Sequence, residues 1–243
     1  MLNKIHHGDC LEIMKDIPTG SVDMILCDLP YGTTACKWDT IIPFEPLWEQ
    51  YNRVIKDNGA IVLTASQPFT TKLINSNIQN FKYTWVWEKS RFANQMNAKK
   101  QPLKIHEDIC VFYKKQVNYK PQGLIEINKM TKQGKKISDN NRRWLRKTSY
   151  KQKYTNYPRS ILKYKSVGKT IHSTQKPVAL FEYLIKTYTN EGETILDNCI
   201  GSGTTAIAAI NTNRNYIGIE KEKEYVDIAN ERINNHKDML PNR

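Results

Sequence analysis

The chain has 243 residues, 39% of them hydrophobic, and a formal net charge of +13. This length suits one α/β domain with an insertion or two small domains, and no stretch reaches the roughly 18–20 apolar residues of a membrane span. Five scattered cysteines (Cys10, Cys27, Cys36, Cys110 and Cys199) form no C-x-x-C pair, which argues against a disulfide framework or zinc site and fits a reducing cytoplasm. The opening MLNKIHHGDC lacks the apolar run of a signal peptide.

Taken in chain order, 3–9 reads as a short strand and 10–17 as a helix with Asp9 as its N-cap. SVDMILCD (21–28) is a strong strand that runs into the turn-forming LPYG. In 44–59, Leu47, Trp48, Tyr51, Val54 and Ile55 recur at helical spacing, and Asn58-Gly59 supplies a stop. GAIVLTAS (59–66) is the next strand, and Ser66 and Pro68 open a helix over 66–77. Strands follow at 83–89 and 107–114, where Cys110 reads, like Cys27, as a small core residue. Beyond a basic segment come a helix at 176–189, a strand at 192–198, a helix at 202–213, a strand at 215–220 and a helix at 221–236. Seven strands alternating with helices predict a doubly wound, mostly parallel α/β sheet, with ligands outside the strand C-terminal ends.

The charge is uneven. From Lys114 to Lys169, seventeen Lys and Arg face two acids, Glu126 and Asp139, a net +15 that leaves about −2 for the rest. A neutral body carrying a basic attachment points to a polyanion partner. Tyr119, Trp144, Tyr150, Tyr154, Tyr157 and Tyr164 interleave with the cations, a composition that suits base stacking and phosphate contact better than a plain linker. The tip 132–141 reads as a mobile loop.

A second informative stretch is ILDNCIGSGTTAIAA (195–209). A strand ends at Asp197, a loop carries Gly201 and Gly203, and a small-residue helix begins, an arrangement that lets a ligand approach main chain and free N–H groups. The next strand ends in Glu220, placed to accept ribose hydroxyls. The glycines formally match a dinucleotide fingerprint, so an NAD oxidoreductase is a rival. Asp197 separates the two: a carboxylate repels a pyrophosphate and attracts a tail bearing an ammonium and a sulfonium, which favours S-adenosyl-L-methionine.

With DLPY (28–31) and DNCIGSGTT (197–205) both present, the sequence resembles the site-specific DNA amino-methyltransferases. Its order of parts is similar to their circularly permuted beta group. GDCLEIMKDIPTGSVDMILCDLPYG (8–32), HEDICVFYK (106–114) and HSTQKPVALFEYLI (172–185) also look like family blocks. The resemblance implies a Rossmann-like class I methyltransferase fold with a catalytic half (1–114), a target-recognition insert (115–170) and a cofactor half (171–243). It implies S-adenosyl-L-methionine as cofactor and double-stranded DNA as partner, with base flipping and restriction–modification biology. A homodimer and a restriction partner are both compatible with it. It places Asp28, the Leu29 carbonyl, Pro30 and Tyr31 around the target amine, with Asp28 also reaching the cofactor. Asp9 and Cys10 fall at the cofactor's adenine end and Glu220 at its ribose. Gly201, Gly203 and Thr204 lie along the methionine with Asp197, and His172, Thr174, Gln175 and Lys176 near its carboxylate. Leu29 departs from the usual proline, which keeps the carbonyl but loses the stiffness that proline gives the loop. His106 and Glu107 read as structural, and Trp38-Asp39 as a loop over the target base or as ordinary packing.

In the family that the sequence resembles, an acid that opens the tetrapeptide favours adenine N6. N4 of cytosine, an RNA amine and a protein amide are alternatives on the same fold, and the basic insert speaks against the last. A catalytically dead DNA-binding module would leave Asp28, Tyr31 and Glu220 without a purpose, as the NAD reading leaves DLPY and the insert.

Overall fold

A computed structural model describes residues 1–34, 36, 39–132, 149–168 and 175–239. The strands are β1 (Lys4–His7), β2 (Val22–Asp28), β3 (Ile55–Ala65), β4 (Phe81–Ala93), β5 (Lys104–Phe112), β6 (Ile125–Lys132), β7 (Ser149–Thr155), β8 (Ile161–Lys163), β9 (Thr194–Asp197) and β10 (Asn215–Glu220). The helices are α1 (Cys10–Ile13), α2 (Phe44–Val54), α3 (Phe69–Ser76), α4 (Val178–Tyr188), α5 (Thr204–Asn211) and α6 (Lys223–Asp238). Met1–Lys120 and Ser160–Arg243 make one compact unit, and Pro121–Arg159 a second.

The main unit holds an eight-stranded sheet in the order β1-β10-β9-β2-β3-β5-β4-β8. It contains the seven expected strands and the short β8, which adds in parallel to the edge at β4. Only the pairings of β5 with β3 and β4 are antiparallel. Alternation along each buried strand sends side chains to opposite faces. On β2, Met24 and Leu26 join a core with α4 and α5, while Ile25 and Cys27 join a core with α1, α2 and α3. Cys27 and Cys110 are fully buried, and burial pushes both thiols up to about 12.

Three local readings change. The helix expected over 44–59 ends at Val54, and β3 starts at Ile55, which pairs with Val22. Gly59 is no helix stop: it lies in β3, where a Cβ would meet the Ile55 side chain at 2.7 Å and the Asp23 carbonyl at 2.8 Å. Ser66 does not cap α3; its hydroxyl accepts from Lys104. The helix at 10–17 is one α turn followed by a 3-10 turn at Met14–Asp16.

The second unit is an antiparallel ribbon of β6 and β7, with Lys129 opposite Gln152 and Thr131 opposite Tyr150. Tyr150, Tyr154 and Tyr157 are exposed. Tyr119 and Tyr164, read as part of the same aromatic set, lie in the main unit and pack on Tyr188 and Tyr183. Residues 115–120 and 160–168, expected within the insert, also belong to the main unit. Trp144 and most of the tip 132–141 lie outside the described residues.

Candidate active site

Strand order reverses between β9 and β2: β9 leads through α5 to β10 on one side, and β2 through α2 to β3 on the other. The C-terminal ends of the two central strands therefore diverge into loops that leave a crevice between them. A cavity of about 290 Å³ occupies that crevice. Asp28, the last residue of β2, and Asp197, the last of β9, both line it.

At the β2 end, Asp28 is held from three sides. Its Oδ1 accepts from the Tyr31 hydroxyl at 2.8 Å and from the Thr64 hydroxyl. Its Oδ2 accepts from Lys176 Nζ at 2.6 Å. Thr64 reaches Asp28 because the two are register partners on β3 and β2. One face of the Tyr31 ring stacks on Phe69, with centroids 5.1 Å apart and planes at 25°. Burial, followed by the Asp28 and Glu107 charges, raises the Tyr31 pKa well above the usual phenol value, so the hydroxyl remains a donor. Leu29 packs its side chain into the core on the α1–α3 side, where it is 4% exposed. The following loop is tied down by Asp39, which accepts from the backbone N–H groups of Gly32, Thr33 and Thr34 at 2.7–2.9 Å. Burial opposes the Asp39 charge, but these bonds outweigh it and lower its pKa. Trp38 lies outside the described residues.

At the β9 end, Asp197 accepts from the Cys199 N–H at 3.1 Å and from the Thr205 hydroxyl. Burial nevertheless pushes its carboxyl up to about 7. Glu220 binds the loop through both oxygens, accepting from Gly201 N and Glu222 N at 2.8 and 2.9 Å. Burial raises its pKa against these bonds. Gly201 and Thr204 line the cavity. Gly203 is not among its lining residues; at φ +82° it turns the chain into α5, and a Cβ there would stand 3.2 Å from the Ala229 Cβ.

Asp9 caps α1 by accepting from the Leu11 N–H at 2.9 Å, and with Cys10 it also lines the cavity. Pro30, Gln175 and Lys176 are lining residues too. His172 and Thr174 lie outside the described residues. Lys176, expected beside a cofactor carboxylate, is placed on Asp28, and its Nζ lies 3.3 Å from Glu107 Oε2. Glu107 in turn pairs with Lys89 at 2.9 Å. Sequence reasoning gave Glu107 a structural role and did not single out Thr64, Phe69 or Lys89. Thr64 follows the apolar run 60–63, and that contrast is the signal that marks it, whereas Glu107 stands between His106 and Asp108 and has no such mark.

The cavity tests the cofactor readings. Asp197 and Glu220 put two carboxylates around the glycine loop, where a pyrophosphate would be repelled. An acid displaced upward by burial, with a hydroxyl and one amide as its donors, suits a cationic ammonium group. The donor set therefore fits S-adenosyl-L-methionine and does not fit a dinucleotide.

Comparison with known proteins agrees. A family model described as DNA methylase matches residues 22–231. The chain is 31% identical over 246 residues to the DNA adenine methyltransferase YhdJ of Escherichia coli K12, covering 94% of this chain and 82% of that protein. It is 26% identical to the type II methyltransferase M1.MboII of Moraxella bovis, covering 94% and 95%. The crystal structure of the M1.HpyAVI–SAM complex superposes with a TM-score of 0.65 at 28% identity, over 94% of this chain and 98% of that one. The PvuII cytosine-N4-specific methyltransferase shares the fold at 14% identity, with a TM-score of 0.68 over 96% of this chain and 90% of that one.

Proposed function

We propose, from the premise that this chain belongs to the DNA methylase family, that it methylates the N6 amine of an adenine flipped out of double-stranded DNA. It is an S-adenosyl-L-methionine-dependent DNA methyltransferase. The observation that carries the reading is the convergence of Asp28–Tyr31 and the Asp197–Glu220 loop on one cavity at the switch point of the sheet. Adenine is favoured over cytosine by the aspartate that opens the tetrapeptide and by the likeness to an enzyme named as adenine-specific.

Asp197 would face the cofactor's ammonium, Glu220 its ribose, and Asp9 and Cys10 its adenine. When bound, S-adenosyl-L-methionine supplies an electrophilic methyl group on a sulfonium. The target amine is a poor nucleophile because its lone pair is delocalised into the ring. Asp28 Oδ2 and the Leu29 carbonyl each accept one amine N–H, drawing the lone pair out of the ring plane. Leu29 serves through its main chain, which its buried side chain leaves free to act. The nitrogen becomes acidic as it gains the methyl group, so Asp28 need not be a strong base. Tyr31 offers a flat surface to the extruded base, worth about 1–3 kcal/mol in related stacks, against the few kcal/mol needed to extract it.

The ribbon of β6 and β7 supplies target recognition in this reading, with Tyr150, Tyr154 and neighbouring lysines toward the DNA. No helix among the described residues is long and apolar enough to cross a membrane, and the protein works in the cytoplasm, on the nucleoid when bound to DNA. A homodimer and a companion restriction enzyme both fit the type II relatives. The reading is tested by modification-detecting sequencing of DNA from cells that express the protein. N6-methyladenine at one sequence context supports it, and N4-methylcytosine would move the reading to the alternative substrate.

A further inference from the structure

Four charged side chains that sequence spacing keeps far apart meet beneath the target-amine site. Asp28 ends β2, Lys176 precedes α4, Glu107 lies on β5 and Lys89 on β4. Lys176 Nζ is 2.6 Å from Asp28 Oδ2 and 3.3 Å from Glu107 Oε2, and Lys89 Nζ is 2.9 Å from Glu107 Oε1. Lys176 is 6% exposed. Its ammonium costs several kcal/mol to bury alone, and the two carboxylates offset that cost. Lys89 then offsets the second carboxylate, so the quartet is neutral as a whole. Burial opposes the charges of Lys176 and Glu107, yet each partner's field prevails: Lys176 is raised and Glu107 lowered.

Lone-pair counting on Asp28 gives this quartet a use. A carboxylate oxygen accepts about two hydrogen bonds. The Tyr31 and Thr64 hydroxyls fill Oδ1, and Lys176 takes one position on Oδ2. The remaining position on Oδ2 is the one that a substrate amine can use. Among the described residues, the other titratable groups that interact electrostatically with Asp28 are Tyr31, the Cys27 thiol and Asp197 at the end of neighbouring β9; none of these three is a cation.

We propose that Lys176, balanced by Glu107 and Lys89, is a positioning residue for Asp28: its ammonium holds that carboxylate turned so that Oδ2 receives the target amine. The proposal rests on the methyl-transfer reading above, and it gives Lys176 a different task from holding the cofactor's carboxylate.

The test is single-turnover transfer from labelled S-adenosyl-L-methionine, at saturating cofactor, to genomic DNA free of adenine methylation, followed along the acidic limb of the pH–rate profile. Lys176→Gln leaves Asp28 facing Glu107, and the limb moves to higher pH. Glu107→Gln leaves Lys176 to Asp28 alone and moves the limb to lower pH. For both variants the calorimetric Kd for S-adenosyl-L-methionine stays within about threefold of wild type, because the rate and not cofactor binding is the quantity affected. Unmoved limbs with a large loss of cofactor affinity would assign Lys176 to the cofactor and overturn the proposal. Equal losses of rate with unmoved limbs, or shifts of the same sign, would make the quartet merely structural and overturn it too. If Lys176→Gln fails to fold, Lys89→Gln takes its place: it leaves the quartet one negative charge in excess, and its limb must move opposite to that of Glu107→Gln. An inactive wild type would sink the methyl-transfer reading itself, whereas an active wild type with unmoved limbs would sink this proposal alone.

Discussion

Replacing Asp28 by Ala separates the two tasks of this carboxylate. In the folded protein it neutralises Lys176, which is 6% exposed and keeps only Glu107 at 3.3 Å once Asp28 is gone. Breaking a buried pair costs about 3–5 kcal/mol, and the surviving partner puts this case near about 3 kcal/mol. In a chain of this size each kcal/mol lowers Tm by about 2–4 °C, so a fall of about 6–12 °C is expected in scanning calorimetry. In the reaction the variant loses the acceptor on the target amine, and removing one such preorganised group lowers kcat by about 10²–10³. Asp28→Asn rescues the rate only in part: its oxygen can face Lys176 and the incoming amine if its NH₂ turns to the Tyr31 and Thr64 hydroxyls, which accept as well as donate, but it no longer neutralises Lys176. Calorimetric binding of S-adenosyl-L-methionine should survive in both variants, since Asp197, Glu220 and their loop are untouched. An Ala variant with wild-type turnover would refute the mechanism.

Cofactor binding should depend on pH through Asp197, whose carboxyl is pushed up to about 7. A bound ammonium stabilises the anion, so binding releases a proton below about pH 7 and affinity falls as pH drops; Asp197→Asn removes that dependence, and pH-independent wild-type affinity in calorimetry would contradict it. Without a cation the sign for stability is the reverse of the usual carboxylate: the folded pKa lies above the unfolded value, so this group's contribution is lost as pH rises toward 7. Glu220→Gln places an NH₂ against either Gly201 N–H or Glu222 N–H, and the buried mismatch of about 1–3 kcal/mol should appear as weaker cofactor binding and a lower Tm. Gly203→Ala, at φ +82° and facing Ala229, should destabilise the protein by about 1 kcal/mol or more in denaturant titration. Replacing Lys129, Lys151, Lys153 and Arg159 by Ala should make the salt slope of DNA binding shallower by about 1 for each of these cations that pairs with a phosphate; an unchanged slope would remove the ribbon from the interface.

The α/β class was legible because each central strand is a run of apolar residues that alternate between two cores, and because punctuation at Asp28–Gly32 and Asp197–Gly203 marks the strand ends. Those ends carry the site, and the marked residues line the cavity except Gly32 and Gly203, which shape its loops. The end of α2 was not legible: Ile55 continues the helical spacing, and only its pairing with Val22 on a distant strand turns it into β3. The charged quartet was hidden for the same reason. Lys89 and Glu107 meet through the antiparallel pairing of β4 and β5, and Lys176 reaches Asp28 across 148 positions of sequence. The ribbon fell in a segment whose apolar periodicity is too weak to read, since both of its faces carry exposed side chains and no core imposes a pattern.

Methyl transfer to the N6 amine of adenine in DNA, with Asp28 as the acceptor, is tested by mass spectrometry of nucleosides from adenine-unmethylated DNA incubated with the protein and S-adenosyl-L-methionine carrying an isotopically labelled methyl group. Labelled N6-methyl-2′-deoxyadenosine from the wild type, and its loss with Asp28→Ala at undiminished cofactor binding, is the predicted result. Label in N4-methyl-2′-deoxycytidine alone, or undiminished N6-methyl-2′-deoxyadenosine from Asp28→Ala, would contradict it.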